Sequence, residues 1–375
     1  MSDNMSWKFH WLTKWDEIWD ARFVQQWQGW LNESPSAHVF FHPALVKAWV
    51  ETYLPLRDIR PCFLIAEAPG QTVFFPLVLW QRNWKNAFQK LLIPVGYSDY
   101  DYHDPLFTEN VAQSDKNIFW QEFEQALSTS SPVIYDRLLF DGIRQRSIPY
   151  SNIQTKNQRW NKIESCPWID LSKFKKPEEF LPSLKTSLRQ DLRRQQRRMA
   201  EIGVIEFKSY GTGKEREALQ EVPDFLAFHS CRWPGAYKAP GFFKYLFEYG
   251  MEANILRFSV LRLNSKTIAW HLVFQFQNKM YSYMPAHNKE FDKLSPGKVL
   301  LLRIIEDAIA QGLECYDFLR GEESYKVGWT DKTETLWSFQ MDSGRLSSRL
   351  KNAAVDKLKT RLKKVLNQGN IYAAD

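Results

Sequence analysis

Cysteine is scarce in this chain and dispersed. Its four residues, Cys62, Cys166, Cys231 and Cys315, are spread over 375 positions with no C-x-x-C pair. That argues against a zinc site and a disulfide framework, and it fits a reducing compartment. Long apolar runs are missing too. None approaches the ~20 residues a bilayer-spanning helix needs, and the opening MSDNMSWKFHW lacks the apolar core of a signal peptide. The expected location is cytoplasmic, with peripheral contact at the inner membrane as an addition. No metal-ligand motif and no recognised DNA- or RNA-binding motif is present. Metal chemistry and nucleic-acid binding are therefore not the first readings.

What the chain does have is length, aromatic mass and positive charge. Its size suits two domains, and 44% hydrophobic with 25% charged residues is a globular composition. The 16 Trp and 26 Phe bring large buried area, and aromatics also line binding clefts. A net charge of +7 favours anionic partners: phosphorylated cofactors, membrane surfaces or nucleic acid.

Periodicity places helices at 16–31, 43–53, 118–127, 177–202, 215–230 and 242–252. Strands are expected at 61–67 and 72–80 around Pro69-Gly70, at 133–140 and 204–208, and at 255–263 and 268–276 around Asn264-Ser265, followed by 280–285. The stretch 152–167 reads as a connection. Each half thus offers helices, a hairpin, a further strand, a helix and a strand. PCFLIAEAPGQTVFFPLVLW in the first half resembles RFSVLRLNSKTIAWHLVFQF in the second. The expectation is a duplicated α+β fold, with one unit over 1–160, a second over 161–342, and a basic amphipathic helix over 343–375. Two such units side by side would leave a cleft. On the C-terminal helix, Leu346, Leu350, Leu358 and Leu362 share a face, and Lys and Arg cover most of the rest. It should pack on the body through its leucines or lie on an anionic membrane surface.

The densest chemistry lies at 283–329, which reads as strand, tight turn, helix, strand and polar loop. Ser295-Pro296-Gly297-Lys298 stands where the first strand hands over to the helix. The first N–H groups of a helix lack partners, and its dipole adds about half a positive charge there. Glycine lets the backbone approach a ligand closely, so the N–H groups of Lys298, Val299 and Leu300 are expected to face a phosphate. An ordinary Ser-Pro helix start is the competing reading. The first half has no counterpart of this turn.

Other residues carry a plain reading beside a sharper one. Lys185, Arg189, Arg193 and Arg197 recur every four positions on one helix face. They form a solvated surface, or a site where Arg forks hold phosphate or carboxylate. His229 and Arg232 are three apart on a helix and face one side; a satisfied structural histidine is the alternative. Glu322 and Lys326 are four apart and either pair on the surface or position substrate. Asp99, Asp101 and His103 alternate in a Tyr-rich segment, where a strand would align them; acceptor binding suits Asp99 and His103 better than metal.

The same block carries a family resemblance. Ser295-Pro296-Gly297, Gly312, Asp317-Phe318-Leu319, Gly321-Glu322, Tyr325-Lys326 and Trp329 resemble the pattern of GNAT-related acyltransferases of bacterial cellulose and exopolysaccharide biosynthesis (the CelD type). These are relatives of the Fem-type aminoacyltransferases and have tandem GNAT-like halves. His229-x-x-Arg232-Trp233 and Leu188-Arg189 with the arginines after it extend the likeness, which covers 168–337 well. Asp99-Tyr100 and Asp104-Pro105-Leu106 carry it weakly into the first half. The resemblance implies tandem GNAT-like domains and direct transfer of an acyl group from acetyl-CoA or another acyl-CoA to an amine or hydroxyl, with a sugar or glycolipid acceptor. No metal is required. It implies an anion site at Ser295, Gly297, Lys298, Val299 and Leu300, a base among Asp317, Glu322 and His229, and Tyr325 as the acid for the leaving thiolate. Arg189, Arg193, Arg232, Lys326, Asp99 and His103 are the substrate-binding candidates. The alternatives are a Fem-like enzyme using aminoacyl-tRNA, the one reading that calls for nucleic acid, and a non-catalytic scaffold at the membrane.

Overall fold

The structure, a computed structural model, describes residues 6–80, 88–97, 99–108, 111–149, 158–234 and 238–369. The chain divides into two units: residues 1–37, 53–162 and 337–375 form one, and residues 38–52 and 163–336 the other.

In the first unit the hairpin around Pro69-Gly70 forms, with Phe63–Ala68 antiparallel to Gln71–Phe75. Gly70, at φ 72, supplies the left-handed turn residue. Lys8–Leu12 and Leu106–Phe107 complete a four-stranded sheet. The apolar run 72–80 breaks at Pro76, which has no N–H for a continuous ladder. Beyond it, Leu77–Trp80 pairs with Ile59–Pro61 and with Leu91–Pro94. Leu91–Pro94 runs parallel to Arg137–Arg144, with helix Gln113–Ser130 between them in sequence. The strand expected at 133–140 therefore starts at Arg137, because Asp136 turns its backbone and carboxylate to Lys90. Residues 99–105 hold no strand, so the alternation of Asp99, Asp101 and His103 does not make a face.

The C-terminal helix Leu346–Gly369 belongs to this unit. It is fixed by its polar side. Ser348 and Lys351 donate to the Asp136 carboxylate, and Asn352 donates to the Asp136 carbonyl and to Asp342. Leu346, Leu350 and Leu358 stay exposed. This overturns the expectation that Leu346, Leu350 and Leu358 pack on the body, while the side chain of Leu362 lies outside the described residues; a helix with this many matched polar partners gains more by satisfying them than by turning them to water. Arg137, with a side chain only 5% exposed, bonds Asp342 at 2.7 Å and Asp356 through a fork at 2.7 and 2.8 Å. Arg137→Ala should therefore destabilise the protein by about 3 kcal/mol, read from the urea midpoint. Arg137→Lys should recover only part, since an ammonium cannot reproduce the fork.

The second unit holds the elements of interest. β1 (Gln158–Asp170) is a strand through much of what reads as a connection in the sequence. Then come α1 (Thr186–Ile202), β2 (Ile205–Tyr210), α2 (Glu215–Arg232), α3 (Phe242–Glu252), β3 (Leu256–Leu263), β4 (Lys266–Phe276), β5 (Lys279–His287), α4 (Pro296–Ala310) and β6 (Cys315–Asp317). β2, β3, β4 and β5 are antiparallel neighbours in that order. β6 joins β5 in parallel, with α4 as the crossover, and pairs with the end of β1. α4 buries Val299, Leu302, Ile305 and Ile309 with Val273 and Met280 of the sheet, each side chain contributing about 1.5–3 kcal/mol. The helix expected over 177–202 is interrupted. A 3-10 turn and a short helix end at Ser183, whose hydroxyl bonds back to the Phe180 carbonyl, and Leu184 and Lys185 are extended. Lys185 thus drops off the basic stripe and pairs with Asp331 at 2.7 Å.

Candidate functional site

The site begins where two parallel strands separate. β5 and β6 pair only over Lys279–Tyr281 and Cys315–Asp317. β6 stops there, while β5 continues to His287. Past the divergence β5 carries a bulge: Leu272 lies opposite Met284, but Val273 lies opposite Ser282, which leaves Tyr283 as an extra residue. Pro285 and His287 then register with His271 and Ala269. His271, Ser282 and His287 consequently share one face, and His271 Nε2 lies 2.9 Å from the Ser282 hydroxyl.

A pocket of about 170 Å³ opens on that face. Pro285, Ala286 and His287 line it from β5, Ser295, Gly297, Lys298 and Leu301 from the start of α4, and Arg232, His271, Asp292 and Tyr325 from around it. Ser295 occupies the left-handed region, at φ 49. Its carbonyl takes the N–H groups of Lys298 and Val299, and Pro296 has no N–H. The donor left over is the Gly297 N–H, which makes no hydrogen bond among the described residues. Val299 and Leu300 pack into the core, so their side chains support the helix and do not face the pocket. Gly297 has an ordinary negative-φ backbone, and a Cβ built there would meet only His287 Nδ1, at 3.7 Å. Packing does not require glycine at this position; the space it leaves belongs to the pocket. Lys298 reaches Asp191 at 2.9 Å. Burial pushes that carboxyl up, but hydrogen bonds from Lys298 and Arg194 outweigh it and hold Asp191 below its ordinary value.

The sequence reading missed one pair. His287 Nε2 lies 2.7 Å from Asp292 Oδ1. The carboxylate fixes the proton on Nε2 and leaves the Nδ1 lone pair toward the Gly297 backbone. The Asp292 carbonyl also accepts the Ser295 N–H, at 3.0 Å, so one residue ties the imidazole to the helix start. The signal available in sequence was a histidine at a strand end and an aspartate five positions on, flanking the turn.

The other candidates are distributed as follows. Tyr325 lines the pocket, and burial, then the Glu323 carboxylate, raises its hydroxyl well above the ordinary value. Arg232 also lines it, with its guanidinium 5.8 Å from the Tyr325 ring centre. Asp317 accepts the Leu319 N–H at 2.8 Å and holds Leu319 in the left-handed region, at φ 59. Exposed Glu322 accepts from the Ser165 hydroxyl. Lys326, 3% exposed, pairs with Glu323 at 2.8 Å and donates to the Arg320 carbonyl. Glu322 and Lys326 therefore do not pair. His229 is buried between the rings of Phe225 and Trp233. Arg189 turns to the Pro182 carbonyl, while Arg193 and Arg197 border a shallow groove on α1. Asp99 and His103 are buried in the first unit, where the His103 ring meets the Asp141 carbonyl.

Burial lowers His271 to about 3, with Lys326 adding to the effect, and lowers His229 and His42 to about 4. Each is neutral in the fold, whereas the unfolded chain takes up the proton near the ordinary value of 6.5. The unfolded state therefore binds more protons below that pH. The stability is complete above about pH 6.5 and is lost as pH falls toward 4 and then 3. From His271 alone the loss should reach about 3 kcal/mol by pH 4. Urea midpoints between pH 8 and 4 measure it, and His271→Gln should flatten the slope.

Residues 186–327 match the family model for an acetyltransferase (GNAT) domain. That interval runs from the first residue of α1 through β5, α4 and Tyr325. Solved structures are similar across both units. FemX has 11% identity and a TM-score of 0.61, with 87% of this chain and 98% of that one covered. L-PGS from Bacillus licheniformis has 14% identity and a TM-score of 0.55, with 90% and 96% covered. A conserved protein of unknown function from Bacteroides thetaiotaomicron has 11% identity and a TM-score of 0.53, with 85% and 97% covered. At these identities the likeness is one of fold. No curated protein sequence matches the chain. The α+β architecture expected from the sequence is the one found, and the interval that matches the GNAT acetyltransferase model lies within its second unit.

Proposed function

We propose that the protein transfers an acyl group from acetyl-CoA or another acyl-CoA to an amine or hydroxyl, with a sugar of a surface-polysaccharide pathway as the acceptor. One observation carries the donor half of this reading: the helix start at Ser295 has an unpartnered Gly297 N–H and an open space where a side chain would stand. The sugar acceptor is carried by the family resemblance of the 283–329 block. The Gly297 N–H and the helix dipole would hold the donor's phosphates, with Ser295 and Lys298 lining the same space. Bound there, an acyl-CoA supplies an activated thioester carbonyl and a thiolate leaving group. The edge of β5 beyond its pairing with β6 offers backbone N–H groups to a carbonyl in the pocket. His287 Nδ1 accepts the proton of the acceptor's N–H or O–H, and the Asp292 carboxylate stabilises the imidazolium that results. Tyr325, kept protonated by burial, supplies a proton on the leaving side.

A second reading, a Fem-like enzyme using aminoacyl-tRNA, is favoured by the fold likeness to FemX and by the open arginine groove of α1. Titration calorimetry with acetyl-CoA, followed by transfer assays on amino-sugar and hydroxyl acceptors, tests the first. Absence of acetyl-CoA binding, together with transfer abolished by RNase, would establish the second.

A further inference from the structure

The C-terminal helix presents an unusual exterior. An amphipathic helix on a protein body normally buries its apolar stripe; this one buries Ser348 and Asn352, with Val355 beside them, and leaves Leu346, Leu350 and Leu358 outside. Asn352 is fully buried, bonded to Gln89, Asp136 and Asp342, and Asp356 is held by Arg137. The outward side carries Leu346, Leu350 and Leu358, which are 72%, 66% and 54% exposed. Arg349, Lys357 and Arg361 are exposed at helical spacings among them. The one acidic residue of 345–361 is Asp356, already engaged. Two more large exposed apolar side chains adjoin the anchor: Phe88 precedes Gln89, and Ile134 stands two residues before Asp136, at 58% and 55% exposed. Leucine interleaved with cations that have no ion-pair partner among the described residues, with no free carboxylate between 345 and 361, is the composition that lies in an interface: the apolar groups enter the acyl boundary and the cations meet negative headgroups. An acidic protein partner would offer fewer apolar sites to so many isolated leucines.

We propose that this face docks the protein on an anionic phospholipid bilayer, with the helix lying in the plane of the surface. The test is sedimentation of the full-length protein with vesicles of phosphatidylcholine alone and of phosphatidylcholine with phosphatidylglycerol. The expected result is partition stronger on the anionic vesicles by roughly tenfold or more, falling with added salt. Leu346→Gln/Leu350→Gln/Leu358→Gln should remove binding without lowering the melting temperature, because these side chains are exposed. Arg349→Ser/Lys357→Ser/Arg361→Ser should remove the preference for phosphatidylglycerol. Equal partition on both vesicles, or none, overturns the proposal. So does a lipid-free dimer that the leucine variant dissolves, which would make the face a contact between copies. None of these readouts involves acyl transfer, so failure here and failure of the proposed reaction are separable.

Discussion

His287→Ala is expected to lower kcat by about 10²–10⁴-fold while leaving acetyl-CoA affinity within about threefold. The argument is geometric. His287 stands at the end of β5 with Nε2 committed to Asp292 and Nδ1 facing the pocket. The sequence candidates for the base are placed elsewhere: Asp317 holds a loop, Glu322 is exposed beside Ser165, and His229 is enclosed by aromatic rings. Donor binding depends on the Ser295 turn, which the substitution leaves in place because Asp292 holds Ser295 through its backbone carbonyl. Steady-state kinetics separates the two quantities, and added imidazole should restore part of the rate. Asp292→Asn should give a smaller loss, since Asp292 positions the ring without touching substrate. A His287→Ala enzyme retaining more than a tenth of wild-type kcat would remove His287 from the chemistry.

The second large effect is on binding. Gly297→Trp should abolish measurable acetyl-CoA binding, a loss of at least about 100-fold or 2.7 kcal/mol, in a protein that still melts cooperatively. The indole would fill the space over the helix start where a Cβ meets nothing closer than His287 Nδ1. Gly297→Ala is the control. It adds one methyl to the first turn of a helix, in a backbone region alanine prefers, so stability should rise by about 0.5–1 kcal/mol while affinity falls modestly. Calorimetry and thermal melts together distinguish the outcomes. Normal binding by Gly297→Trp would place the donor elsewhere.

Much of this arrangement was legible in the residues, because local chemistry wrote it. The two hairpins are marked by Pro69-Gly70 and Asn264-Ser265, and the sequence 283–329 announces strand, turn, helix and strand. The helix start was legible too, though not which N–H remains free: that depends on Ser295 turning left-handed and drawing in Lys298 and Val299. β1 was hidden because QRWNKIESCPW lacks a clean period of two. The Glu322–Lys326 pair failed because the short helix Ser324–Val327 begins after Glu322, so four-residue spacing does not place them on one face. The side on which the C-terminal helix packs was set by Asp136 and Arg137, more than 200 positions away, a distance no periodicity reports.

The extra residue at Tyr283 settles a question of parity. Ser282 and His287 are an odd number of positions apart, and an unbroken strand would turn them to opposite sides. They share a side only because one residue between them is left out of the pairing. Chemistry here thus depends on a count as well as on an identity. In a relative that kept every one of these residues but paired the strand without the bulge, the imidazole would point away from the pocket, although an alignment would record it as conserved.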